Sequence, residues 1–579
     1  MSGFRPIDAA ADGIEQGRRL IRLGGARGAT LAERLGERIN RLTWRTPLHS
    51  LRLRGRYPLK LVAVPDDPLP GDAVEGAAIM DGVLRHRGTA REIEALDFAR
   101  PDAPEAFVDH LHGFAWLRDI AAAAPRAEGA AVAESMMRLW LAAHAETPGN
   151  PAWRCDIVAR RLLMWAAHAP LILSSSDLVY RSLVLNTLAR QARHLDSGAE
   201  RAAPGAPRII AWCGVIAAGL LIPGGDPRRQ FGEGGLARAL NAALFDDGGL
   251  TSRSPVAQLE TIAALAMLRQ VYDARREDLP APVAAALGRM VPALLGVVHG
   301  DGGLASWQGG APLDGHRVGA VVAASGVRAR PLRQARDWGY QRMATGGTCV
   351  ILDAAPPPVA RLAAGGCAST LAFELSDGDH WLVVNCGGAS MASARVPAHL
   401  TQGLRTSAAH STLVLKDSNS TAIHADGTLG RGVAEVELDR QESEGGSRIE
   451  ASHDGYARRF GFLHRRVLTL TGDGRELRGE DLLLPGPRAR RRPGPAAFAV
   501  RFHLAPGIEV STTADGLGAL LRLSDGPLWQ FRCKGGALAV DDSLWIDGAG
   551  RPRGSQQLVV SGEAPGGGAG ISWTMRRMG

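Results

Sequence analysis

Arg190 and His194 stand four residues apart in a run with helical spacing, an interval that puts both side chains on one face. A guanidinium beside an imidazole can grip an anion and move a proton. A salt-bridged helix surface explains the pair equally well. The string Ser252-Arg253-Ser254-Pro255 stands just ahead of an apolar-periodic stretch. It predicts a helix entry, with Ser254 as N-cap and Pro255 at the first helical position. Arg253 offers a charge at the same turn. Glu233, Asp246, Asp247 and Glu374 are the carboxylates that paired acid–base hydrolysis of a glycoside would draw on. No two of them form an evident pair, and caps or turns account for Asp246 and Asp247. Phosphate-binding loops of the Walker type and a G-x-S-x-G elbow are absent, so neither a nucleotide cofactor nor serine-hydrolase chemistry is expected. The six cysteines lack C-x-x-C spacing and do not read as a disulfide framework.

The elements that must position such residues are set by length and texture. A chain of 579 residues with 45% hydrophobic and 22% charged content suits two or three globular domains. No run reaches the ~18 apolar residues of a membrane span. The formal net charge is +8, and among 67 basic residues only Lys60, Lys416 and Lys534 are lysines. The forked guanidinium suits carboxylates, sulfates and phosphates. Nucleic acid is disfavoured as a partner, because Asp and Glu are interspersed with Arg throughout. Met1–Asp12 has no apolar h-region, so a cytoplasmic location is the default expectation, with periplasm or envelope the alternative if the chain is exported.

Residues 1–103 read as two basic amphipathic helices, Gly13–Leu23 and Leu31–Leu42, followed by an extended stretch at Leu51–Val64. Residues 104–330 carry helical periodicity in eight successive segments, among them Ala106–Ala121, Ala131–Ala145 and Val256–Tyr272, joined by short Pro-, Gly- and Ser-bearing turns. Consecutive helices with short connections pack as antiparallel neighbours and close into a bundle, solenoid or toroid. Recurrent tryptophans such as Trp140 and Trp165 fill gaps between helices, or stack on a sugar where one reaches a rim. Residues 331–579 change to short apolar or alternating runs, including Cys349–Asp353, Leu371–Leu375 and Phe462–Thr471, punctuated by Gly, Asp, Asn and Pro. The expected architecture is an all-α (α/α) toroid followed by an antiparallel β-sandwich.

Several strings, in this order, are similar to those of heparinase II/III-like proteins: His110–Ile120, Arg160–Trp165, Arg190–Leu195 and Asp246–Tyr272 in the helical half, then Ser369–Gly387, Arg405–Ser420 and His453–Asp481 in the strand half. The resemblance covers residues 106–503. It implies polysaccharide lyase ancestry, with acidic, uronate-containing polysaccharides as substrates. β-Elimination at a uronate needs donors that neutralise the carboxylate, a base for the C5 proton and an acid for the leaving oxygen.

Carried over position by position, the resemblance puts Ser254 where the family has an Asn, with Arg253 beside it as a second grip on the carboxylate. The family's tyrosine acid/base has no counterpart in residues 299–310, which hold His299, Asp301 and Trp307. Tyr340 is the next tyrosine downstream. In the family's His-x-His string, Gly365 replaces the first His and Cys367 the second. Asn385 replaces the partner Asp, and His410 is retained. Cys367, Asn385 and His410 are thus the candidate ligands for zinc or another divalent metal, although Asn is a poor zinc ligand. The alternative is a hydrogen-bonded, buried His410 beside a buried thiol. The catalytic candidates are therefore Arg253, Ser254, Tyr340 and His410. The substrate-binding candidates are Arg190, His194, Trp307, Glu374 and Arg405, with His453 as a further polar group. The replaced positions leave open a second role, a degenerate glycan-binding protein of the cell envelope.

Overall fold

The computed structural model describes residues 14–22, 47–55, 57–58, 60–359, 365–393, 396–486 and 494–578. Between Glu105 and Ser325 the chain is helical, as its periodicity predicts. The main helices are Arg126–His144, Cys155–Ala167, Leu178–Gly198, Ala206–Leu221, Asp226–Ala243, Pro255–Arg275 and Ala281–Leu295. Ala206–Leu221 has no solvent face at all, since every residue from Ile209 to Leu221 is buried. Its neighbours pack against it closely enough to require glycine. A Cβ on Gly235, in the helix Asp226–Ala243, would lie 2.4 Å from the Trp212 ring. The helix expected across Ala106–Ala121 is two, because Phe114 adopts a left-handed conformation (φ 63°) and turns the chain between Glu105–Gly113 and Trp116–Ala123. The turn seats Phe114 edge-on to Trp140 and Trp165. These tryptophans are core, not sugar platforms.

Two antiparallel sheets follow. The nine-stranded sheet runs Gly17–Arg22, Glu435–Ser443, Gly446–His453, Phe462–Thr471, Glu476–Pro485, Ala569–Met578, Leu528–Lys534, Gly518–Arg522 and Glu509–Thr512. The eight-stranded sheet runs Ala537–Ile546, Pro552–Ala564, Ala496–Leu504, His380–Val384, Phe373–Asp377, Thr348–Asp353 and Tyr340–Thr345, and Leu413–Leu415 pairs alongside Ala496–Leu504. Phe462–Thr471 alternates buried and half-buried residues along its whole length, the period of a strand with one core face.

Thr348–Asp353 breaks that pattern: all six of its residues are buried. Val350 and Leu352 enter the sandwich core, whereas Cys349 and Ile351 enter the toroid core. The eight-stranded sheet is thus a middle layer. Alternation along Phe373–Asp377 sends Phe373 and Leu375 into the sandwich and leaves Glu374 and Ser376 to meet the toroid.

The first expected basic helix is not formed. Gly17–Arg22 is instead an edge strand, in register with Glu435–Arg440. Its backbone groups gain partners on a sheet edge, and Ile21 is buried while Leu20 points outward. Leu31–Leu42 lies outside the described residues. Where an extended stretch was expected from Leu51, the helix Pro47–Arg52 occupies its start.

Candidate functional site

The candidate residues of the strand half converge with two toroid segments, the turn before Pro255 and the loop from His299 to Asp314. Arg253 occupies that turn in a left-handed conformation (φ 55°) and is 3% exposed. Its Nη2 donates to Asp353 Oδ1 at 2.6 Å, its Nε to the Trp338 carbonyl at 2.7 Å and its Nη1 to the Pro356 carbonyl at 2.9 Å. Burial alone would lower the guanidinium pKa, but Asp353 and Tyr340 outweigh it and raise the pKa. Arg253 therefore latches the toroid to the sandwich. Ser254 is the N-cap that its position predicts, accepting from the Ala257 N–H at 3.3 Å. Tyr340 donates its hydroxyl to the Arg253 carbonyl at 2.7 Å, and burial holds its pKa well above the ordinary phenol value. Trp307 is fully buried, 5.6 Å from the Tyr340 ring.

Glu374 is the hub of the second half of the junction. His299 Nε2 lies 3.0 Å from one of its oxygens and Asn385 Nδ2 donates to the other at 2.9 Å, while the Ser306 N–H approaches at 3.2 Å. The other His299 ring nitrogen meets Ser376 Oγ at 2.9 Å. Burial opposes protonation of His299, yet Cys349 and Glu374 prevail and push it up to about 9. The sequence offers both Glu374 and His299 but nothing that pairs them, because they lie 75 residues apart on different domains.

Asn385 has both ends of its amide engaged, since its Oδ1 accepts from the Ser411 N–H at 3.0 Å. Burial pushes the Cys367 thiol up to about 12, and the thiol donates to the Gly365 carbonyl at 3.3 Å. His410 Nδ1 lies 2.7 Å from the Thr406 carbonyl, and burial lowers its pKa. Both ends of the Asn385 amide are thus occupied, and no group of three His, Cys, Asp or Glu side chains among the described residues is placed to hold a metal ion. Arg405 clamps the loop carrying Cys367 through two bonds to the Gly366 carbonyl, at 2.9 and 2.7 Å.

Arg190 and His194 do not join this cluster. Arg190 donates to the Glu146 carbonyl at 2.7 Å, and His194 sits in the toroid core, with Nε2 2.8 Å from the Trp153 carbonyl. His194 is buried in the toroid while Arg190 stays half-exposed at its surface, which is why their spacing misleads. His453 lies inside the sandwich beside His464. Two of the carboxylates weighed for hydrolysis are structural, since Glu233 accepts from Tyr272 Oη at 2.8 Å and Asp247 accepts from the N–H groups of Asp337 and Trp338, each at 2.8 Å, while Asp246 is exposed.

A second cluster escaped the sequence reading. The hairpin formed by Val83–His86 and Thr89–Glu92 turns at Arg87 (φ 45°) and stacks His86 on His110, with ring centroids 4.1 Å apart and 6° between planes. Arg160 and Glu260 meet beside it at 3.1 Å. Burial lowers the His110 pKa to about 4, with Arg87 and Arg317 adding to the effect. Arg87, Arg160 and Arg317 thus act on two neutral imidazoles and on Glu260, with Asp109 as a second carboxylate in reach of Arg87. The basic doublets Arg160-Arg161 and Arg85-His86-Arg87 were the available signal, but nothing in their spacing joins them.

Comparison with known proteins agrees with this architecture. Residues 327–574 match the family described as Heparinase II/III-like, C-terminal. FtsZ-localized protein C of Caulobacter vibrioides is 31% identical over 555 residues, covering 91% of this chain and 92% of that protein. A crystal structure of heparinase III superposes with a TM-score of 0.67 at 12% identity, covering 94% of this chain and 89% of that one. A heparan sulfate lyase of Pedobacter heparinus superposes with a TM-score of 0.56 at 14% identity, covering 93% and 88%. No helix among the described residues is long and apolar enough to cross a membrane.

Proposed function

This chain belongs to the heparinase II/III-like family, and from that premise we propose that it is a non-eliminating member that acts by recognition, working where FtsZ assembles. The observation that carries this reading is the state of the junction. Arg253, Tyr340, Glu374, Asn385, Arg405 and His410 are each 3% exposed or less, and each is hydrogen-bonded within the protein. Elimination requires a base within hydrogen-bond reach of the substrate proton and donors aimed at its carboxylate. Here the donors already hold Asp353, Glu374 and backbone carbonyls. The relationship to FtsZ-localized protein C supports the second half of the proposal.

The test pairs two measurements on the full chain. Near-ultraviolet absorbance reports unsaturated products from a panel of sulfated and unsulfated uronate polymers, and co-sedimentation reports retention on FtsZ polymers from the same host. Flat absorbance with retention on FtsZ is expected. Absorbance that grows with protein concentration overturns the non-eliminating reading, and loss of co-sedimentation overturns the association.

The arginine-rich cluster at His86 and His110 favours a second reading, β-elimination of an acidic polysaccharide, because Arg87, Arg160 and Arg317 outnumber the carboxylates Glu260 and Asp109 there. In that reading Arg253 and Ser254 grip the uronate, and His410 or Tyr340 transfers the proton once the domains part. Absorbance abolished by His410→Ala or Tyr340→Phe would establish it.

A further inference from the structure

At the far end of the junction two depressions join into one trough. The first, about 460 Å³, lies between the toroid loop at Asp301–Asp314 and the ends of the sandwich strands, and Trp381 and Trp545 contribute to its walls. The second, about 650 Å³, continues across the sandwich. Asp379 and His380 line both.

The charge of this trough runs against that of the molecule. The chain carries 67 basic residues and a net charge of +8. Yet Asp301, Asp314, Asp377, Asp379 and Asp525 line the trough, and Arg577 is the one lysine or arginine among its described lining residues. Arg577 already pairs with Asp377 at 3.3 Å.

Turn chemistry explains part of this. Asp301 accepts from the Gly303 N–H within its own turn, and Asp314 caps the helix Gly315–Ser325. Turn geometry also places Asp379, in the two-residue hairpin loop Gly378–Asp379, and Asp525, at a left-handed position (φ 55°), but it leaves their carboxylates unused. Both are exposed at turns of the sandwich, and neither carboxylate has a hydrogen-bond or ion-pair partner among the described residues. Trp381 is held in place by its indole N–H, which donates to Asp301 at 2.8 Å, and by the His299 ring 4.2 Å away. A rigid indole flanked by carboxylates attracts a cation by ring quadrupole and by charge together.

We propose that this trough is a docking groove for an extended cationic peptide segment, with arginine or lysine side chains laid over Trp381 and Trp545 and paired with Asp379 and Asp525. The groove borders the buried junction, which it meets where Trp381 packs on His299, and its charge repels uronate polymers.

Fluorescence anisotropy of a labelled hexa-arginine peptide with the full chain tests this, with hexaglutamate and maltohexaose as competitors. The double variant Asp379→Asn/Asp525→Asn is expected to weaken peptide binding about three- to tenfold, the range two exposed ion pairs support. Trp545→Ala is expected to weaken it as well. Glu94→Gln, an exposed carboxylate outside the trough, is expected to leave it unchanged. Equal weakening by Glu94→Gln, or none in the double variant, would show diffuse charge attraction and overturn the proposal. Displacement of the peptide by maltohexaose would make the groove a neutral-sugar site and overturn it equally.

Discussion

The junction around Glu374 and Asp353 and the toroid cleft around His86 and His110 are built from the same residue types, and their charge balance is opposite. In the junction two buried cations meet counter-charges: Arg253 meets Asp353 at 2.6 Å, and His299 meets Glu374 at 3.0 Å, while Arg405 is held by the Gly366 carbonyl. In the cleft, Arg87, Arg160 and Arg317 face Glu260, and the stacked imidazoles are held neutral. Compensated buried pairs are retained at large desolvation cost and act as struts, since removing one partner strands the other. Uncompensated charge near solvent costs less, and it leaves the field available to a ligand. Under the proposed recognition role, a charged ligand is better placed where charge remains unmatched.

Breaking a strut gives the largest expected effect. Arg253→Ala leaves Asp353 buried without its counter-charge, and a loss of about 3–5 kcal/mol is expected in denaturant unfolding. An effect below about 1 kcal/mol would mean that the junction is loose enough to admit water, and would return it to consideration as an open active site.

The next effect is pH-dependent. Folding raises the His299 pKa from 6.5 to about 9, so the native state binds the proton more tightly than the unfolded chain does. The resulting stability is complete below pH ~6.5 and is lost as pH climbs through about 9, a change on the order of 2–3 kcal/mol. Unfolding measured between pH 6 and pH 10 should show that decline in the native protein. Glu374→Gln should make it shallower, because the imidazolium loses its carboxylate and keeps only the Cys349 contribution. A slope unchanged in Glu374→Gln would place the proton elsewhere.

The two regions also differ in how far the sequence exposes them. The strand Phe462–Thr471 is legible residue by residue, because its period follows from one buried face. Ser254 is legible as a cap, because a cap is a local event. The fate of Arg253 is not, since its partner lies 100 residues further along the chain. Arg190 and His194 show the converse error: a helical interval identifies a shared face but not whether that face meets solvent or another helix. Gly17–Arg22 reads as part of an amphipathic helix, and only pairing with Glu435–Arg440, over 400 residues away, makes it a strand. The arginine-rich cluster is assembled from a hairpin and four helices, and no local pattern could have joined them.

The smallest stability effect belongs to the cleft, and it sharpens the contrast most. Arg317 is exposed and has no hydrogen-bond or ion-pair partner among the described residues. Arg317→Ala should therefore change unfolding stability by no more than about 0.5 kcal/mol. It also removes one of the charges that keep His110 neutral, so the His110 pKa, about 4 in the native protein, should rise when followed by NMR. Retention of the chain on a heparin column should fall in the same variant, with a shallower dependence on salt. A substitution that shifts the imidazole titration and weakens polyanion retention while leaving the fold intact would identify the cleft as a site whose charge serves a ligand. If Arg317→Ala instead destabilised the protein as strongly as Arg253→Ala, the cleft would be another strut, and the distinction between the two regions would fail.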